Sequence, residues 1–412
     1  MAKIKPFKAV RPAKALAENI AALPYDVYNR EEAKAEIAKE PHSFLRIDRA
    51  ETNFPDYVST YDTAVYEKAN NLLEEMLKNG EFVTEEKECF YIYELIMEGR
   101  SQTGLVACAS VDDYVSGVIK RHENTRTDKE LDRINHIDRC NAQTGPIFLT
   151  YRSSDRVKKL IDSKILEEKL YGFTSADGIT HNIWKLDQEE VVNNMKKEFE
   201  KIPAVYIADG HHRAASAVKV GLKRREEQQE YTGNEEFNFF LSVLFPAEEL
   251  LIMPYNRVVK DLNGYTEEEF LKKTEEYFTL EEQGNNAYAP KEKGEYGMYL
   301  EDKWYKLVIK NEYRKDDDPV AGLDVSLLQD NLLENILGIK DPRSDKRIDF
   351  VGGIRGLAEL ERRVSEDMRV AFSLYPTGIR ELIAVSDAGE LMPPKSTWFE
   401  PKLRSGLFIH KI

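Results

Sequence analysis

The stretch VYIADGHHRAASAVK, residues 205–219, changes its periodicity within a few positions. The apolar run AVYIA that begins at Ala204 is typical of a buried strand, whereas RAASAVKVGLK after it has the alanine-rich composition of a helix. Asp209 and Gly210 separate the two runs. The sequence therefore predicts a buried strand that turns directly into a helix, which requires a fold in which a sheet and helices share one core.

The turn itself carries residues that suit an anion. The first turn of a helix has free backbone N–H groups and positive dipole character. Gly210 lets a ligand approach the backbone closely, and the donors that suit phosphate oxygens are His211, His212 and Arg213. Asp209 is expected to hold Mg²⁺ or to orient a histidine. The turn is predicted to bind phosphate; the alternative is a plain helix cap with surface histidines.

The two histidines also suggest zinc. His211 and His212 are adjacent, however, and consecutive side chains on a helix or strand diverge. Zinc sites usually use spaced ligands, as in HxxxH. A zinc site is therefore disfavoured.

A charged segment, KRHENTRTDKELDR at 120–133, offers groups for catalysis. Glu123 is suited to accept a proton from a substrate hydroxyl, and Arg126 and Arg133 to neutralise a transferred phosphoryl group. Taken alone, such a run is typical of a solvated helix face. A catalytic role requires this segment to meet the glycine turn in space, and a separation above about 15 Å would exclude it.

The C-terminal segment MPPKSTWFEPKLRSG also concentrates donors, between prolines that stiffen the backbone. These donors are Lys395, Ser396, Thr397, Lys402, Arg404 and Ser405. Lys395, Ser396 and Thr397 are the residues that we single out for anion binding. A rigid turn whose Trp398 and Phe399 fill a core explains the same sequence equally well.

Bulk properties narrow the range of partners. A net charge of -15 disfavours binding to nucleic acid, which is itself a polyanion. The three cysteines are widely spaced without a CxxC pair, and no apolar run is long enough to span a membrane. We expect a cytoplasmic protein with a small-molecule substrate and no membrane partner. The sequence predicts no oligomeric state.

Several motifs together resemble a known family. They are RPAKALAENIAALPYDV, KRHENTRTDKELDR, GPIFLTY, ADGHHRAASA and MPPKSTWFEPKLRSGL. By these motifs the chain is identified as a member of the prokaryotic domain-of-unknown-function family number ten-fifteen, over nearly its whole length. That family name implies no activity.

A more limited resemblance does imply one. The order of a His-Glu segment, a strand beginning with PI and a strand ending in DGHHR is similar to that of the free-serine kinases of the ParB/sulfiredoxin-like fold. The resemblance implies that the turn at 209–213 receives nucleotide phosphates and that Glu123 activates the serine hydroxyl. This chain differs in having about sixty residues between GPIF and ADGHHR. It also lacks the cysteine that sulfiredoxins carry in this turn.

These observations predict an α+β protein with a ParB/sulfiredoxin-like core and mixed-sheet additions on both sides. Three segments are expected: an N-terminal α+β segment at 1–110, a catalytic core with an insertion at 111–235, and a C-terminal α+β segment at 236–412 that completes the site.

The predicted function is phosphoryl transfer from ATP, ADP or pyrophosphate to the hydroxyl of a small metabolite, with L-serine as the preferred acceptor. Glu123, Asp209, His211 and His212 form the predicted catalytic group, and Asp209 is the predicted Mg²⁺ ligand. One alternative is a regulatory protein that binds a nucleotide or phosphometabolite without turnover. The other is a DNA-associated protein of the ParB type.

Overall fold

The computed structural model describes residues 1–228 and 230–412, which form two compact units. The first unit comprises Met1–Leu250 together with the C-terminal tail Pro401–Ile412, and the second comprises Leu251–Glu400. The chain therefore leaves the first unit and returns to it for its last residues.

Strands and helices are numbered here in chain order. The strands are β1 (Ile4–Lys5), β2 (Val10–Pro12), β3 (Phe82–Thr84), β4 (Phe90–Met97), β5 (Arg100–Ser110), β6 (Ile119–Lys120), β7 (Ala142–Gln143), β8 (Ile147–Tyr151), β9 (Tyr171–Thr174), β10 (Thr180–Leu186), β11 (Val205–Asp209), β12 (Phe239–Pro246), β13 (Leu251–Met253), β14 (Tyr255–Val259), β15 (Phe278–Gly284), β16 (Glu295–Leu300), β17 (Lys303–Ile309), β18 (Ile348–Gly352), β19 (Val370–Leu374), β20 (Trp398–Glu400) and β21 (His410–Lys411). The α-helices are α1 (Ala17–Ile20), α2 (Arg30–Lys39), α3 (Leu45–Asp48), α4 (Thr63–Lys78), α5 (Val111–Val115), α6 (Thr127–Cys140), α7 (Asp155–Lys164), α8 (Glu189–Phe199), α9 (His211–Glu227), α10 (Glu267–Tyr277), α11 (Asp324–Leu328), α12 (Ala358–Glu366) and α13 (Ile379–Asp387).

The first unit is built on a mixed sheet of nine strands. Its order is β6-β11-β8-β12-β5-β4-β10-β9, and β1 pairs with β5 outside this path. Strands β6 and β11 run parallel, as do β8 and β12, whereas β11 is antiparallel to β8. Apolar side chains of the sheet pack with those of α7, α8 and α9 in one core. The predicted α+β class with a mixed sheet is confirmed.

Two β-like runs, CFYIYELIM and SQTGLVACASV, stand on either side of EGRS in the sequence, a pattern that predicts a hairpin of β4 and β5. Its strands pair antiparallel from Tyr91 opposite Val106 to Met97 opposite Arg100. Glu98 and Gly99 connect them with φ angles of 51° and 78°, the left-handed pair that a two-residue hairpin turn requires. This prediction is confirmed.

A second apolar cluster of the first unit lies around α3 and α4. Helix α2 begins with a capping box in which Asn29 and Glu32 bond each other's backbone N–H groups, and the Asp62 side chain caps α4. Both helix starts depend on capping residues that lie within a few positions of the helix, so their signals are present in the local sequence.

The three-segment division at residues 110 and 235 stays a prediction. Strands β5 and β12, which lie on either side of the 111–235 segment, pair directly with each other, from Phe239 opposite Ser110 onward.

The second unit has its own sheet of six strands, in the order β15-β17-β16-β19-β14-β18. A separate pair is formed by β13 and β20. The amphipathic run LDVSLLQDNLLENILGI at 323–339 predicts a helix that ends at Gly338. It begins as α11 and continues as a π-helical segment, Gln329–Glu334, and a turn then leads to Gly338, which has a φ of 70°.

Across residues 1–228 and 230–412, no helix combines the length and apolar character needed to cross a bilayer.

Candidate functional site

The two predicted site segments follow neighbouring parallel strands. Strand β6 pairs with β11 in parallel, Ile119 opposite Val205 and Lys120 opposite Tyr206. The carboxyl ends of parallel neighbours lie at the same edge of a sheet. The loop after β6, residues 121–126, therefore lies beside the turn between β11 and α9. This pairing joins segments that are nearly ninety residues apart in the sequence.

Gly210 is the residue that permits the turn. Its φ is 93°, and a Cβ built there would come within 3.0 Å of the Arg213 guanidinium. Gly210 is also the N-cap of α9 and, among the residues described, no side chain bonds the N-terminal N–H groups from the cap position. Asp209 is therefore not the helix cap that the alternative interpretation required.

Both histidines of the turn contact the 121–126 loop. The Nε2 atom of His212 accepts a hydrogen bond of 2.9 Å from the Arg126 N–H. The Nε2 atom of His211 lies 3.5 Å from the His122 backbone nitrogen, and its Nδ1 atom lies 3.8 Å from Glu123 Oε2. The Glu123 carboxylate thus meets the turn well within the reach that a catalytic role requires.

A third histidine lies behind this contact. The His122 side chain is fully buried, and its ring meets that of His211 edge-on, with 4.5 Å between the ring centroids. Burial lowers the pKa of His122 to about 4. Burial and the neighbouring His122 lower the pKa of His211 well below its usual value, so both rings are neutral at pH 7.

Asp209 is held by a residue from the C-terminal tail. Its Oδ2 atom lies 3.0 Å from Lys402 Nζ, across 193 positions of sequence. Burial opposes ionisation of the Asp209 carboxyl, but the charges of Lys402 and Arg213 outweigh it and lower the pKa. Asp209 is therefore an ionised carboxylate. The sequence had marked Lys402 as a donor without indicating its partner.

The two arginines nearest the turn differ in exposure. Arg213 donates to the Pro146 carbonyl and packs beside Gly145, so its guanidinium is anchored at the start of β8. Arg126 is 70 % exposed and pairs with Asp128 at 2.8 Å. Arg126 is free to turn toward a bound anion at low cost, because exposed ion pairs are weak.

Arg133 is buried rather than solvated. Its guanidinium pairs with Asp132 at 2.7 Å and lies 4.0 Å from the centre of the Tyr25 ring. Burial raises the pKa of the Tyr25 hydroxyl to about 12. The Arg133 guanidinium is therefore held in one place. The charged helix sequence had instead suggested an exposed side chain in a surface salt bridge.

Arg133 and Arg213 line one cleft in the first unit, which opens to solvent and encloses about 30 Å³. Its polar lining includes the Asp48 carboxylate, which accepts a 2.9 Å hydrogen bond from Thr144. The other lining residues are Pro24, Tyr25, His136, Ile137, Gln143, Gly145, Ile147, Ala217 and Ser405. Because Arg213 belongs both to this cleft and to the turn, the two are adjacent. The sequence did not predict the cleft, since its lining comes from segments far apart in the chain.

The predicted anion-binding residues Lys395, Ser396 and Thr397 belong to the second unit. The Lys395 carbonyl accepts a hydrogen bond of 3.1 Å from Arg257, and the Ser396 hydroxyl donates to the Pro393 carbonyl at 2.6 Å. Lys395 is exposed and has a φ of 60°. These contacts hold the turn in shape, and anion binding by its side chains stays a prediction.

Within the part of the chain that the structure describes, no cluster of three or more His, Cys, Asp or Glu side chains is arranged to hold a metal ion. Asp209 offers an ionised carboxylate at the turn. Mg²⁺ commonly binds through one or two carboxylates together with substrate phosphates, so a single carboxylate is compatible with it.

Fold and site define an α+β protein in which a strand–glycine–helix turn gathers histidines, carboxylates and guanidinium groups at one edge of a mixed sheet. The chain belongs to the family described as protein of unknown function DUF1015, whose model matches residues 4–326. The membership inferred from the sequence motifs is confirmed. A comparison with curated proteins found no match.

Solved structures with some similarity include a mutant free serine kinase in complex with ADP, at 14% identity, covering 77% of this chain and 92% of that one, with a TM-score of 0.35. A conserved hypothetical protein from Pyrococcus furiosus has 14% identity, coverage of 74% and 94%, and a TM-score of 0.36. SbnI with a C-terminal truncation, from Staphylococcus aureus, has 11% identity, coverage of 73% and 85%, and a TM-score of 0.38. TM-scores this low establish neither a shared fold nor a shared activity.

Proposed function

We propose that this protein is a phosphotransferase with a ParB/sulfiredoxin-like core. It would move a phosphoryl group from a nucleotide or pyrophosphate to the hydroxyl of a small metabolite, with L-serine as the preferred acceptor and O-phosphoserine as the product. The observation that supports this most strongly is the 3.8 Å approach of Glu123 to His211, at a turn suited to phosphate. Neither segment alone would support catalysis.

The donor phosphates would bind at the start of α9. The start of α9 offers the first N–H groups of a 17-residue helix, Gly210 places no side chain over them, and the Arg213 guanidinium lies against Gly210, where it would bond the anion. Asp209 would supply a carboxylate oxygen to Mg²⁺, whose charge offsets that of the donor phosphates.

Glu123 would act as the general base. Its carboxylate takes the proton of the acceptor hydroxyl while that oxygen forms a bond to the transferred phosphorus, and the bond from phosphorus to the departing phosphate oxygen breaks. The Glu123 side chain is 30 % exposed, so an acceptor can reach it. Arg126 would turn from Asp128 to neutralise charge on the transferred group.

The cleft beside the turn would hold the acceptor. It combines the guanidinium groups of Arg133 and Arg213 with the Asp48 carboxylate. A zwitterion such as a free amino acid carries one charge of each sign, so it matches this lining better than a simple anion does. Arg133 would then bind the acceptor, whereas the sequence had suggested that it neutralises the transferred group.

The test is to incubate the purified protein with L-serine, Mg²⁺ and ATP, ADP or pyrophosphate, and to follow O-phosphoserine by ³¹P NMR. Product formation is expected with at least one donor. Absence of product with every donor, from protein that is folded by circular dichroism, would exclude serine as the acceptor.

A second function, nucleotide or phosphometabolite binding without turnover, is favoured by one observation. Lys402 already neutralises Asp209, so the turn is stable without a metal ion. A regulatory protein would bind ligand, make no product, and keep its affinity when Glu123 is replaced by Gln. Loss of turnover from an active parent on the same change supports the enzyme instead.

A further inference from the structure

The loop at 121–126 has no regular secondary structure of its own, although it carries Glu123. It connects β6, which is a short strand, to α6. Such a segment keeps its position only through contacts with its surroundings, because no ladder of backbone hydrogen bonds holds it. Two of the contacts that hold it here come from the histidines of the turn.

We infer that His211 and His212 are positioning residues: both are neutral rings protonated on Nδ1, and their Nε2 atoms accept backbone N–H groups of the 121–126 loop and so hold Glu123 at the turn. Their Nε2 atoms therefore do not bind the donor phosphates. The structural part of this inference stands without any activity, whereas its effect on catalysis depends on the proposed function.

The contact of His212 establishes its tautomer. The Arg126 backbone nitrogen can only donate, so at 2.9 Å the His212 Nε2 atom must be an unprotonated acceptor. In a neutral imidazole the proton is then on Nδ1. Arg126 is also the N-cap of α6. The hydrogen bond therefore fixes the point where the loop ends and the helix begins.

The same logic applies to His211. Its Nε2 atom faces the His122 N–H at 3.5 Å, at the long end of the hydrogen-bond range. The remaining proton is on Nδ1, which lies 3.8 Å from Glu123 Oε2. His211 thus presents an N–H donor to the carboxylate. A small shift of Glu123, which is partly exposed, would bring the two into hydrogen-bond contact.

The surroundings of both rings keep them neutral. His211 is faced by His122, Asp209, His212 and Arg121 as well as by Glu123; burial is the largest effect on its pKa, and it outweighs the favourable charge of Asp209. For His212, burial also lowers the pKa, against the opposing effect of Asp26 and Glu130. Protonation would convert each Nε2 acceptor into a donor facing another donor, so it would break the contact with the loop.

An accepting Nε2 atom cannot donate to a phosphate oxygen, so the Nε2 atoms of both histidines are excluded as phosphate donors. The proposed function places the donor phosphates on the backbone N–H groups after Gly210 and on the guanidinium of Arg213. This division of roles makes a measurable distinction: replacing a histidine should disturb the loop and Glu123, and it should leave the affinity for the nucleotide almost unchanged.

The direct test is long-range ¹H–¹⁵N NMR of the full-length protein with labelled histidine. The chain has seven histidines, and the signals of His211 and His212 are assigned from single His→Gln variants. At pH 7 both rings are expected to carry their proton on Nδ1 and none on Nε2. A ring that carries its proton on Nε2 would overturn the inference. No substrate is needed.

The second test compares His212→Gln with His212→Leu. Gln can place an acceptor near the position of Nε2, whereas Leu cannot. We expect the Arg126 amide to exchange faster in the Leu variant, nucleotide affinity to stay within about twofold in both, and turnover to fall about tenfold or more in the Leu variant only. A loss of nucleotide affinity in both variants would make His212 a phosphate ligand and overturn the inference.

The two tests separate the possible failures. If the parent protein makes no product with any donor, the proposed function fails, yet the NMR and the amide exchange still decide whether the histidines hold the loop. If His212→Leu does not fold, the tautomer of the His212 ring in the parent protein still tests whether its Nε2 atom accepts the Arg126 N–H.

Discussion

Two donor-rich segments of this chain suggest anion binding: the turn after Asp209 and the turn at 395–397. The contacts that their donors make differ. At the first, the Arg213 guanidinium lies against Gly210 at the start of α9. At the second, the Ser396 hydroxyl is bonded to Pro393 within the turn itself. The comparison teaches that a donor-rich sequence can use a donor to hold its own backbone, as Ser396 does.

The largest expected effect comes from replacing the proposed base. Glu123→Gln keeps the shape of the side chain and removes its ability to accept a proton, so turnover should fall about 10²–10⁴-fold, the usual range for a general base. Nucleotide affinity, measured by calorimetry, should be unchanged. Glu168→Gln, at a side chain that is 91 % exposed, is the control and should keep the parent rate. Equal activity of the two variants would remove Glu123 from the mechanism.

Lys402→Met tests whether the tail supports the turn. It leaves the Asp209 carboxylate without its partner, which should cost about 1–3 kcal/mol of unfolding free energy at pH 7, less than a fully buried pair because Asp209 is partly exposed. The matched control is Lys158→Met, at an exposed pair with the same 3.0 Å distance to Asp162, which should change stability by less than about 0.5 kcal/mol.

The pH dependence sharpens this prediction. The pKa of Asp209 is lowered in the folded protein, so its contribution to stability is complete above the unfolded value of about 3.9 and is lost as the pH falls below it. Urea denaturation of the parent should therefore show a falling free energy of unfolding below about pH 4 that is weaker in Lys402→Met. Parallel pH profiles would mean that Lys402 does not stabilise the ionised form.

Gly210→Ala separates backbone strain from site geometry. Gly210 and Gly178 have φ angles of 93° and 80°, but a Cβ at Gly178 has no atom within 4 Å, whereas one at Gly210 meets Arg213. Both alanine variants should lose about 1–2 kcal/mol from the left-handed backbone. Only Gly210→Ala should also weaken nucleotide binding, by about tenfold, because the Cβ and the displaced guanidinium occupy the ligand position. Equal nucleotide affinities would exclude the turn as the phosphate site.

The smallest effect is expected at the other turn. Ser396→Ala removes the buried hydroxyl that donates to Pro393, which should cost about 0.5–1.5 kcal/mol of stability. Nucleotide affinity should stay within about twofold of the parent value. A larger loss of affinity would show that this turn takes part in nucleotide binding and would remove the contrast between the two segments.

Local signals explain what the sequence predicted. The change from an apolar run to an alanine-rich run at Asp209 and Gly210 predicted the strand, the turn and the helix, and all three are present. The capping box at Asn29 and the hairpin turn at Gly99 are equally local features. In each case the residues that determine the structure are close together in the chain.

The remaining features depend on contacts between distant segments. Strand β6 has two residues, too few to give a periodic signal, yet its pairing with β11 is what brings Glu123 to the turn. The Lys402–Asp209 contact spans 193 positions. The charged neighbours of Arg133 suggest a solvated helix face, but Arg133 is buried against Tyr25. All three features depend on tertiary contacts between distant segments, and such contacts leave no local pattern in a single sequence.

The most direct test of the central claim is a crystal structure of the full-length protein with ADP. The account predicts that the β-phosphate lies within hydrogen-bond distance of the backbone N–H groups after Gly210 and of Arg213, with the Glu123 carboxylate facing it across the turn. Phosphate density at Lys395–Thr397, or a Glu123 side chain turned away from the bound phosphate, would contradict the account.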